Sequence, residues 1–318
     1  GTGFIGSALV KRLLLDGNTV KVVDNDLRGS KVRLADMLSD IELIGCDVRD
    51  EDAVSNAAKG CDAILHLAAL NGTENFYNRP DLVLDVGVRG MYGALEAAKR
   101  NGIKDFVLAS SSEAYQTPPK VPTPENVPLM IHDPWNPRYS YGGSKLISEI
   151  MLANYHQDLF QRALTFRPHN VYGPDMGWEH VIPQLLLRAK SQIAKHPAGK
   201  VPFEIQGDGE QTRSFIHIDD FINGLMLAIS DGKHRNVYHI GTEEEISIRR
   251  LVDLIFEWFG REAQIIATPA PAGGTPRRCP DISKLRKLGF EPKIGIADGI
   301  GDIANWYVDN AHKKPVLA

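Results

Sequence analysis

The chain has 318 residues, of which 43% are hydrophobic and 24% charged, and this composition excludes a disordered or collagen-like protein. Its formal net charge of −4 gives no global attraction to nucleic acid or to an anionic membrane, so any phosphate-binding patch must be local. No apolar run reaches the roughly 18 residues of a membrane span. Three cysteines without CxxC spacing and ten histidines without ligand spacing predict neither a disulfide framework nor a metal site. We expect a soluble cytoplasmic protein of about two domains, at roughly 150 residues per domain.

Helices and strands alternate through the first half of the chain. A helical apolar periodicity begins at Phe4 and ends at Gly17, and the β-rich run TVKVVD follows it. Apolar strands that alternate with amphipathic helices predict a parallel sheet covered on both faces, a Rossmann-type doubly wound α/β fold. Further strands are expected at 41–47, 62–69, 104–111 and 163–168, and helices near 51–59, 80–101 and 139–159.

The pattern changes after residue 170, where short strands and loops separate the helices. We expect residues 1–170 to form the dinucleotide-binding domain and residues 171–318 to form mainly a smaller substrate-binding lobe. Its helices are expected near 179–195, 219–230 and 247–260, and segments near 171–178, 213–217 and 237–242 are expected to return to the main domain.

A glycine-rich turn leads straight into the first helix. Gly3 and Gly6 have the spacing of a GxxGxxG turn, in which backbone amides and a helix N-terminus approach a pyrophosphate closely. Asp24 ends the next strand, where a carboxylate accepts hydrogen bonds from an adenosine ribose and repels a 2′-phosphate. Together they favour NAD over NADP. The competing interpretation is a structural turn followed by a solvated acid.

A turn of this kind normally follows a β-strand, and none precedes Gly1 in the sequence. We therefore expect the first strand of the sheet to be missing from this chain. A version with that strand restored is expected to be more stable and to bind NAD more tightly.

The ends of later strands supply further candidate cofactor contacts, because open α/β sheets bind ligands at the carboxyl ends of their strands. Asp47 is placed to meet the exocyclic amine of adenine, whereas His66, inside an apolar strand, is expected to be a core histidine. The expected cofactor contacts are Gly3, Phe4, Ile5, Gly6, Asp24, Asn25, Asp47, Val48, Leu67, Ala68, Ala69, Tyr141, Lys145 and Pro168.

A candidate catalytic pair lies on the helix that contains YGGSK. Tyr141 and Lys145 are four residues apart and therefore share one helix face. A lysine ammonium beside the tyrosine hydroxyl favours the phenolate, so we expect Tyr141 to act as a base closer to neutral pH. Ser111 follows a strand end, where its hydroxyl can hydrogen-bond a substrate oxygen. A surface helix pair and a serine that caps a loop are the competing interpretations.

These motifs in this order resemble the extended short-chain dehydrogenase/reductase family of NAD-dependent nucleotide-sugar epimerases, dehydratases and decarboxylases. The resemblance rests on TGFIG, LHLAA, SSSEAY, YxxxK, FRPHNVYGP, QGDGEQTRSFIHIDD and RRCPDISKLRKLGFEP, and it covers nearly the whole chain. It implies that NAD⁺ oxidises the sugar at C4 and that the hydride is later returned. It also implies a homodimer formed through the helices around residues 90 and 150.

The resemblance implies a role for each matching residue. Tyr141 would be the base, Lys145 would bind the nicotinamide ribose, and Ser111 would hydrogen-bond the sugar O4. The implied substrate contacts are Asn170, His180, Val181, Arg213 and Arg278, with the two arginines on the nucleotide diphosphate.

Ser111, Ser112 and Glu113 bear on the reaction class. A carboxylate at the third position can take the C5 proton once C4 is a ketone. Similar motifs occur in dehydratases and decarboxylases, and Arg138 in PRxxY resembles a decarboxylase arginine that would bind a C6 carboxylate. The sequence slightly favours such C5 chemistry, with 4-epimerisation as the alternative. A carbonyl reductase and a catalytically silent NAD-binding regulator are further alternatives.

Two positions depart from the family pattern. Gly87 stands where the family has an asparagine near the active site, and His180 replaces an asparagine that often contacts substrate phosphate. Both departures suggest an unusual substrate.

Overall fold

The strands of the first lobe form a parallel sheet, which confirms the predicted fold class. The structure is a computed structural model that describes residues 1–155, 158–269 and 275–314. The strands are β1 Val20–Asp24, β2 Ile41–Gly45, β3 Ala63–His66, β4 Asp105–Ala109, β5 Arg162–Pro168, β6 Val171–Tyr172, β7 Val201–Gln206, β8 Thr212–Ser214, β9 Ile216–His217, β10 Asn236–Ile240, β11 Glu245–Ser247, β12 Ala263–Thr268 and β13 Arg277–Arg278. The main sheet has the order β10–β5–β4–β3, and every neighbouring pair in it is parallel.

The helices are clearest where the sequence marks their ends. The helix expected near 80–101 spans Pro80–Asn101; Pro80 stands in its first turn, and Gly102, with φ of +66°, closes it in a left-handed cap. The helix expected at 139–159 ends earlier, at Asn154, because Tyr155 has an extended backbone; residues 156 and 157 lie outside the described residues. The α-helices are α1 Phe4–Leu15, α2 Glu51–Ala57, α3 Thr73–Asn78, α4 Pro80–Asn101, α5 Ser140–Asn154, α6 Val181–Lys195, α7 Ile218–Asp231, α8 Ile248–Trp258, α9 Ser283–Arg286 and α10 Ile296–Asp309, and 3₁₀ helices span Lys31–Met37, Ser112–Tyr115, Pro137–Tyr139 and Ala311–Lys313.

A slot separates the β1–β2 pair from the main sheet. Among the described residues no strand lies between β1 and β3, and a cavity of about 190 Å³ occupies that position. Leu9 of α1, Ala57 of α2 and Ala94 of α4 line it, together with Val23 of β1 and Leu65 of β3. The slot is therefore apolar, with residues of β1 and of β3 in its lining.

The second lobe has a core of its own. Helices α6, α8 and α10 pack together and on the parallel pair β7–β12, which buries Phe203, Phe256 and Tyr307 almost completely. The sequence pattern did not predict β12 or α10. Strand β10 returns to the main sheet beside β5, so that Ile240 pairs with Pro168. In the described ranges no helix is long and apolar enough to cross a membrane.

Candidate active site

Tyr141 lies in the first turn of α5, beside the end of β4. Ser111, two residues beyond the end of β4, interacts with the Tyr141 hydroxyl and favours its ionised form. The Tyr141 ring stacks on Phe76, with 5.1 Å between the ring centres, and only 7% of the residue is exposed. The Lys145 Nζ is 5.8 Å from the centre of the tyrosine ring. The structure thus brings together the three residues singled out from the sequence.

The expected effect of Lys145 on Tyr141 is wrong for the chain by itself. Burial raises the pKa of Tyr141 to about 12, and Glu113 adds to that rise, while the hydrogen bond with Ser111 opposes it. Burial also lowers the pKa of Lys145 to about 8, against the effect of Glu149. The ammonium donates to the Ala109 backbone oxygen at 2.7 Å instead of to the tyrosine hydroxyl.

Ser111, Tyr141 and Lys145 form what we call the floor of the site, and a buried polar network adjoins them. The sequence pattern did not predict this network. Arg167 and Glu149 form an ion pair at 2.6 Å, with side chains only 4% and 11% exposed. Glu149 also accepts from the Ser110 hydroxyl, and Arg167 donates to the Tyr115 hydroxyl. One signal could have found the network, because Glu149 follows Lys145 by four residues on the same helix face.

Glu113 lies in the 3₁₀ helix Ser112–Tyr115, whose first residue, Ser112, is buried. The Ser111 hydroxyl caps this helix by accepting from the Glu113 amide at 3.1 Å. The Glu113 carboxylate accepts from Arg278 Nη1 at 2.6 Å and is 27% exposed. Burial by itself would raise the pKa of Glu113, but Arg278, with Arg138, lowers it below its ordinary value. Glu113 is therefore ionised at neutral pH.

Arg213 and Arg278 occupy matching positions on neighbouring strands, since β8 and β13 pair in parallel with these two residues opposite each other. Burial and the charge of Arg278 lower the pKa of Arg213 to about 10. The positive charge of Arg138 also lowers the pKa of Glu113 and that of Arg213. Arg278 pairs with Glu113, and the charges of Arg138 and Arg213 also act on this carboxylate. This part of the site, which we call the mouth, therefore has an excess of positive charge suited to an anionic ligand.

The glycine turn at the start of α1 fits a dinucleotide. Gly3 is the N-cap, without a side-chain cap or an acidic residue in the first turn, and a Cβ there would meet nothing within 4 Å. A Cβ on Gly6 would lie 2.6 Å from the Gly1 oxygen, so the turn requires glycine at this position. Asp24 accepts from the Thr2 amide at 2.8 Å, which places its carboxylate against the glycine turn.

Asp47 and Asn25 lie together beyond the ends of β2 and β1, where Asn25 Nδ2 donates to Asp47 at 3.0 Å. The Arg49 side chain donates two hydrogen bonds to Asp47 and one to Asp85, and its backbone amide donates a third to Asp47. Its hydrogen bond lowers the pKa of Asp47 to about 2. The carboxylate expected near adenine is therefore fixed in place and ionised.

The other expected cofactor contacts also lie at the carboxyl ends of strands or at the start of α1, the region where such sheets bind ligands. They are Phe4 and Ile5 in the first turn of α1, Val48 after β2, Leu67, Ala68 and Ala69 directly after β3, and Pro168 at the end of β5. His66 is 6% exposed, and burial, then Lys145, lowers its pKa to about 3, so it is a neutral core histidine.

The remaining expected substrate residues lie in two places. Asn170 has a φ of +36°, and its amide donates to the Ser214 oxygen at 3.0 Å, next to Arg213. His180 and Val181 form the N-terminus of α6, where burial and Arg28 lower the pKa of His180. Asn170 thus adjoins the arginine pair, whereas His180 lies beside Arg28.

Gly87 has a packing role in this structure. A Cβ at Gly87 would lie 2.6 Å from the Ser144 Cβ, so its absence lets α4 approach α5 closely. The Gly87 oxygen accepts from the Ser148 hydroxyl at 3.4 Å. This departure from the family pattern removes a side chain and brings the helix of Tyr141 nearer.

No group of three or more potential ligands in the described ranges is arranged to hold a metal ion.

Comparison with known proteins agrees with this geometry. The model of the NAD dependent epimerase/dehydratase family matches residues 1–241. The chain is 31% identical over 303 residues to UDP-glucuronic acid decarboxylase 1 of Arabidopsis thaliana, covering 94% of this chain and 66% of that protein. It is 31% identical over 326 residues to a dTDP-4-dehydro-6-deoxy-D-allose reductase of a Streptomyces species, covering 98% and 95%.

Solved structures share the whole fold. A dTDP-glucose 4,6-dehydratase of Streptomyces venezuelae with NAD bound has a TM-score of 0.86 at 27% identity and covers 99% of this chain and 97% of that chain. A UDP-glucose 4-epimerase of Thermotoga maritima with UDP-glucose has a TM-score of 0.84 at 25% identity and covers 98% and 97%. With a glycine turn that fits a dinucleotide and a Ser-Tyr-Lys floor beside it, the chain belongs to the NAD-dependent epimerase/dehydratase family, and its cofactor is NAD.

Proposed function

We propose that this chain oxidises a nucleotide sugar at C4 to a 4-keto intermediate and later returns the hydride. The observation that carries the proposal is the grouping of Ser111, Tyr141 and Lys145: Ser111 favours the ionised form of the tyrosine, and the Lys145 Nζ lies 5.8 Å from the centre of its ring. Bound NAD supplies the hydride acceptor and donor. Gly3 and its neighbouring amides would hold the pyrophosphate, and Asp24 and Lys145 would hold the two riboses.

Each residue of the floor has one task in this scheme. Ser111 donates a hydrogen bond to the sugar O4, while Tyr141 takes the proton of the C4 hydroxyl and gives it back when the hydride returns. Burial of Tyr141 excludes water from the proton transfer. Because burial raises its pKa, Tyr141 needs nearby positive charge to act as a base. Lys145 lies 5.8 Å from the centre of its ring, and the oxidised nicotinamide would add a second positive charge.

Glu113 is the proposed base at C5. The C4 ketone acidifies the C5 proton, and Glu113 is ionised and able to accept it. In dehydration the proton that Glu113 takes from C5 would leave with the C6 hydroxyl as water. The resulting 5,6-alkene would then take the hydride at C6 and a proton at C5. In decarboxylation no C5 proton is removed: the bond from C5 to the carboxylate breaks, CO₂ leaves, and the C5 enolate takes up a proton before the hydride returns to C4. Arg138 would hold the carboxylate beforehand, and Glu113 would then act in the protonation of C5. The three guanidinium groups near Glu113 favour an anionic substrate, which every nucleotide sugar is.

The alternative is 4-epimerisation, in which the sugar rotates before the hydride returns and Glu113 has no chemical task. Relatives named as decarboxylase, reductase and 4-epimerase all resemble this chain at about the same identity, which supports the shared C4 step more than any single outcome. A net carbonyl reductase would release its cofactor at each turnover, so dialysis of the purified protein followed by assay for retained NAD separates this alternative.

Product mass is the decisive test. The protein is incubated with UDP-, GDP-, CDP- and dTDP-sugars and with the corresponding uronic acids. Loss of water, loss of CO₂ or an isobaric product identifies the three outcomes. If no nucleotide sugar is changed, the proposal is wrong and a silent NAD-binding role gains support.

Glu113→Gln tests the C5 base separately. We expect turnover to fall by about 10²-fold or more, since general bases typically contribute roughly 10²–10⁴-fold. Glu257→Gln, which alters an exposed ion pair with Arg250, is the matched control. Full turnover of the Glu113 variant would remove the case for a catalytic glutamate.

We also propose a homodimer. Helices α4 and α5 pack on each other and leave large apolar side chains exposed, namely Leu84, Tyr92, Ile147 and Ile150. A second copy of the same pair would cover them in a two-fold bundle. Light scattering should give twice the monomer mass, and Ile150→Asp should return the protein to the monomer.

A further inference from the structure

Gln116 has an unusual backbone conformation next to the candidate base. It follows the 3₁₀ helix Ser112–Tyr115 with φ of +55° and ψ of −99°, and it is 6% exposed. Side chains strongly disfavour this region, which glycine occupies freely. Among the described residues the other non-glycine positions with positive φ are three Asp or Asn residues, which tolerate it, and Arg235, which is exposed.

The Gln116 side chain is folded back onto Glu113. Its amide nitrogen Nε2 donates to the Glu113 backbone oxygen at 2.6 Å, and its backbone amide donates to the same oxygen at 3.3 Å. A glycine at position 116 would keep the second bond and lose the first. The side-chain amide is therefore an additional clamp on the residue that carries the base.

The same turn rests directly on the helix that carries Tyr141. A Cβ on Gly142 would lie 2.8 Å from the Glu113 oxygen and closer still to Gln116 Nε2. On its other side, the Gln116 backbone oxygen accepts from the Thr275 hydroxyl at 3.4 Å, and that hydroxyl accepts from Arg278 at 3.5 Å. Gln116 thus contacts the Glu113 backbone and lies close to Gly142 on the helix of Tyr141. It also accepts from Thr275, which in turn contacts Arg278.

We propose that Gln116 is a positioning residue that sets the placement of Glu113 relative to Tyr141 and so tunes the C5 step. Backbone strain is commonly retained at functional sites where the surrounding structure holds it. The clamp gives a reason for a glutamine at a position where glycine would fit the backbone better. The inference rests on the proposed role of Glu113.

Two substitutions of Gln116 separate the effect of its backbone strain from the effect of its side-chain hydrogen bond. Gln116→Ala and Gln116→Gly both remove the amide clamp, but only glycine relieves the backbone. We expect the glycine variant to melt about 2–4 °C above the alanine variant, although glycine is ordinarily the more destabilising of the two. Both variants should lose about 10- to 100-fold in deuterium incorporation at C5, because small displacements of a catalytic group are costly. Release of the 4-keto sugar on quenching should fall by less than about threefold.

Arg235 supplies the matched control. Arg235→Gly and Arg235→Ala change an exposed residue at nearly the same φ, +54°, and should show the same order of melting temperatures with C5 exchange unchanged. If C5 exchange in both Gln116 variants stays within about twofold of the wild type, or if C4 oxidation falls equally, Gln116 does not position the base.

A second measurement stands without any turnover. Melting temperatures of the wild type, Glu113→Gln, Gln116→Gly and the double variant form a double-mutant cycle. If the clamp on the backbone of residue 113 places its carboxylate on Arg278, the two substitutions should not be additive. Coupling supports the clamp even if every nucleotide sugar proves inert, and additive changes overturn it.

Discussion

The floor and the mouth of the site are built on different physical principles. Ser111, Tyr141 and Lys145 form a nearly dry floor in which burial raises one pKa and lowers another. Glu113 and Arg278 belong to a half-open mouth in which paired charges lower the pKa of the carboxylate. The floor depends on hydrogen-bond geometry, whereas the mouth depends on the balance of charge.

This difference indicates a division of work. The floor suits a proton transfer at one hydroxyl, which dehydration, decarboxylation and 4-epimerisation all require. The mouth suits recognition of an anion and a further proton transfer, which differ among these three reactions. Substitutions in the floor should therefore abolish all chemistry, and substitutions in the mouth should change affinity, pH dependence or product.

The largest expected effect is at Tyr141. Tyr141→Phe removes the hydroxyl that moves the C4 proton, and turnover with any nucleotide sugar should fall by about 10³-fold, inside the roughly 10²–10⁴-fold range for acid–base residues. Circular dichroism should show an unchanged fold. Tyr77→Phe, at a 46% exposed position, is the control. Retention of more than about a tenth of the activity would contradict the role of the floor.

Arg278→Met should act on affinity and on pH dependence together. Loss of a charge-assisted contact should raise KM by about 10- to 100-fold. Arg278 lowers the pKa of Glu113 while burial raises it, so without Arg278 that pKa should rise. The acid limb of kcat/KM for the C5 step should then move to higher pH. Arg277→Met, at the neighbouring exposed arginine that pairs with Glu245, should leave both quantities unchanged.

Gly142→Ala should affect the floor and the mouth together, because Gly142 lies between them. Because the new Cβ would press on the Glu113 oxygen, we expect about a 10-fold loss of turnover and a lower melting temperature. At Gly143 a Cβ would meet only Ile131 Cδ1, at 3.8 Å, so Gly143→Ala should be active and slightly more stable. Equal behaviour of the two variants would show that the spacing of floor and mouth is not critical.

The smallest expected effect is on stability at alkaline pH. The pKa of Lys145 is lowered from 10.5 to about 8, so between these values the unfolded chain binds more protons than the folded one. Stability should rise with pH across that window, by about 1–3 kcal/mol from this lysine. Lys145→Met should lack the increment when unfolding by denaturant is compared near the two ends of the window.

Local patterns predicted much of the fold and the floor of the site. The apolar periodicity placed a long helix near 80–101, and the four-residue spacing of Tyr141 and Lys145 defines a shared face. Helix α10 was missed because glycines interrupt its pattern; at Gly299 a Cβ would lie within 3 Å of the Tyr172 ring, a tertiary requirement invisible in the sequence.

Distant contacts and burial explain what the sequence could not predict. Glu113 and Arg278 are 165 residues apart in the chain and form one ion pair. The predicted effect of Lys145 on Tyr141 was wrong because a helix face does not show how deeply a side chain lies or which backbone oxygen it reaches. The strained backbone of Gln116 likewise depends on contacts made only after folding.

The buried ion pair of Arg167 and Glu149 has a consequence for how substitutions there combine. Both side chains lie almost out of reach of solvent, so removing one partner leaves the other charge buried without a counterion. Either single substitution, Arg167→Met or Glu149→Gln, should therefore destabilise the protein more than the two together. Melting temperatures of the two single variants and the double variant would show this difference.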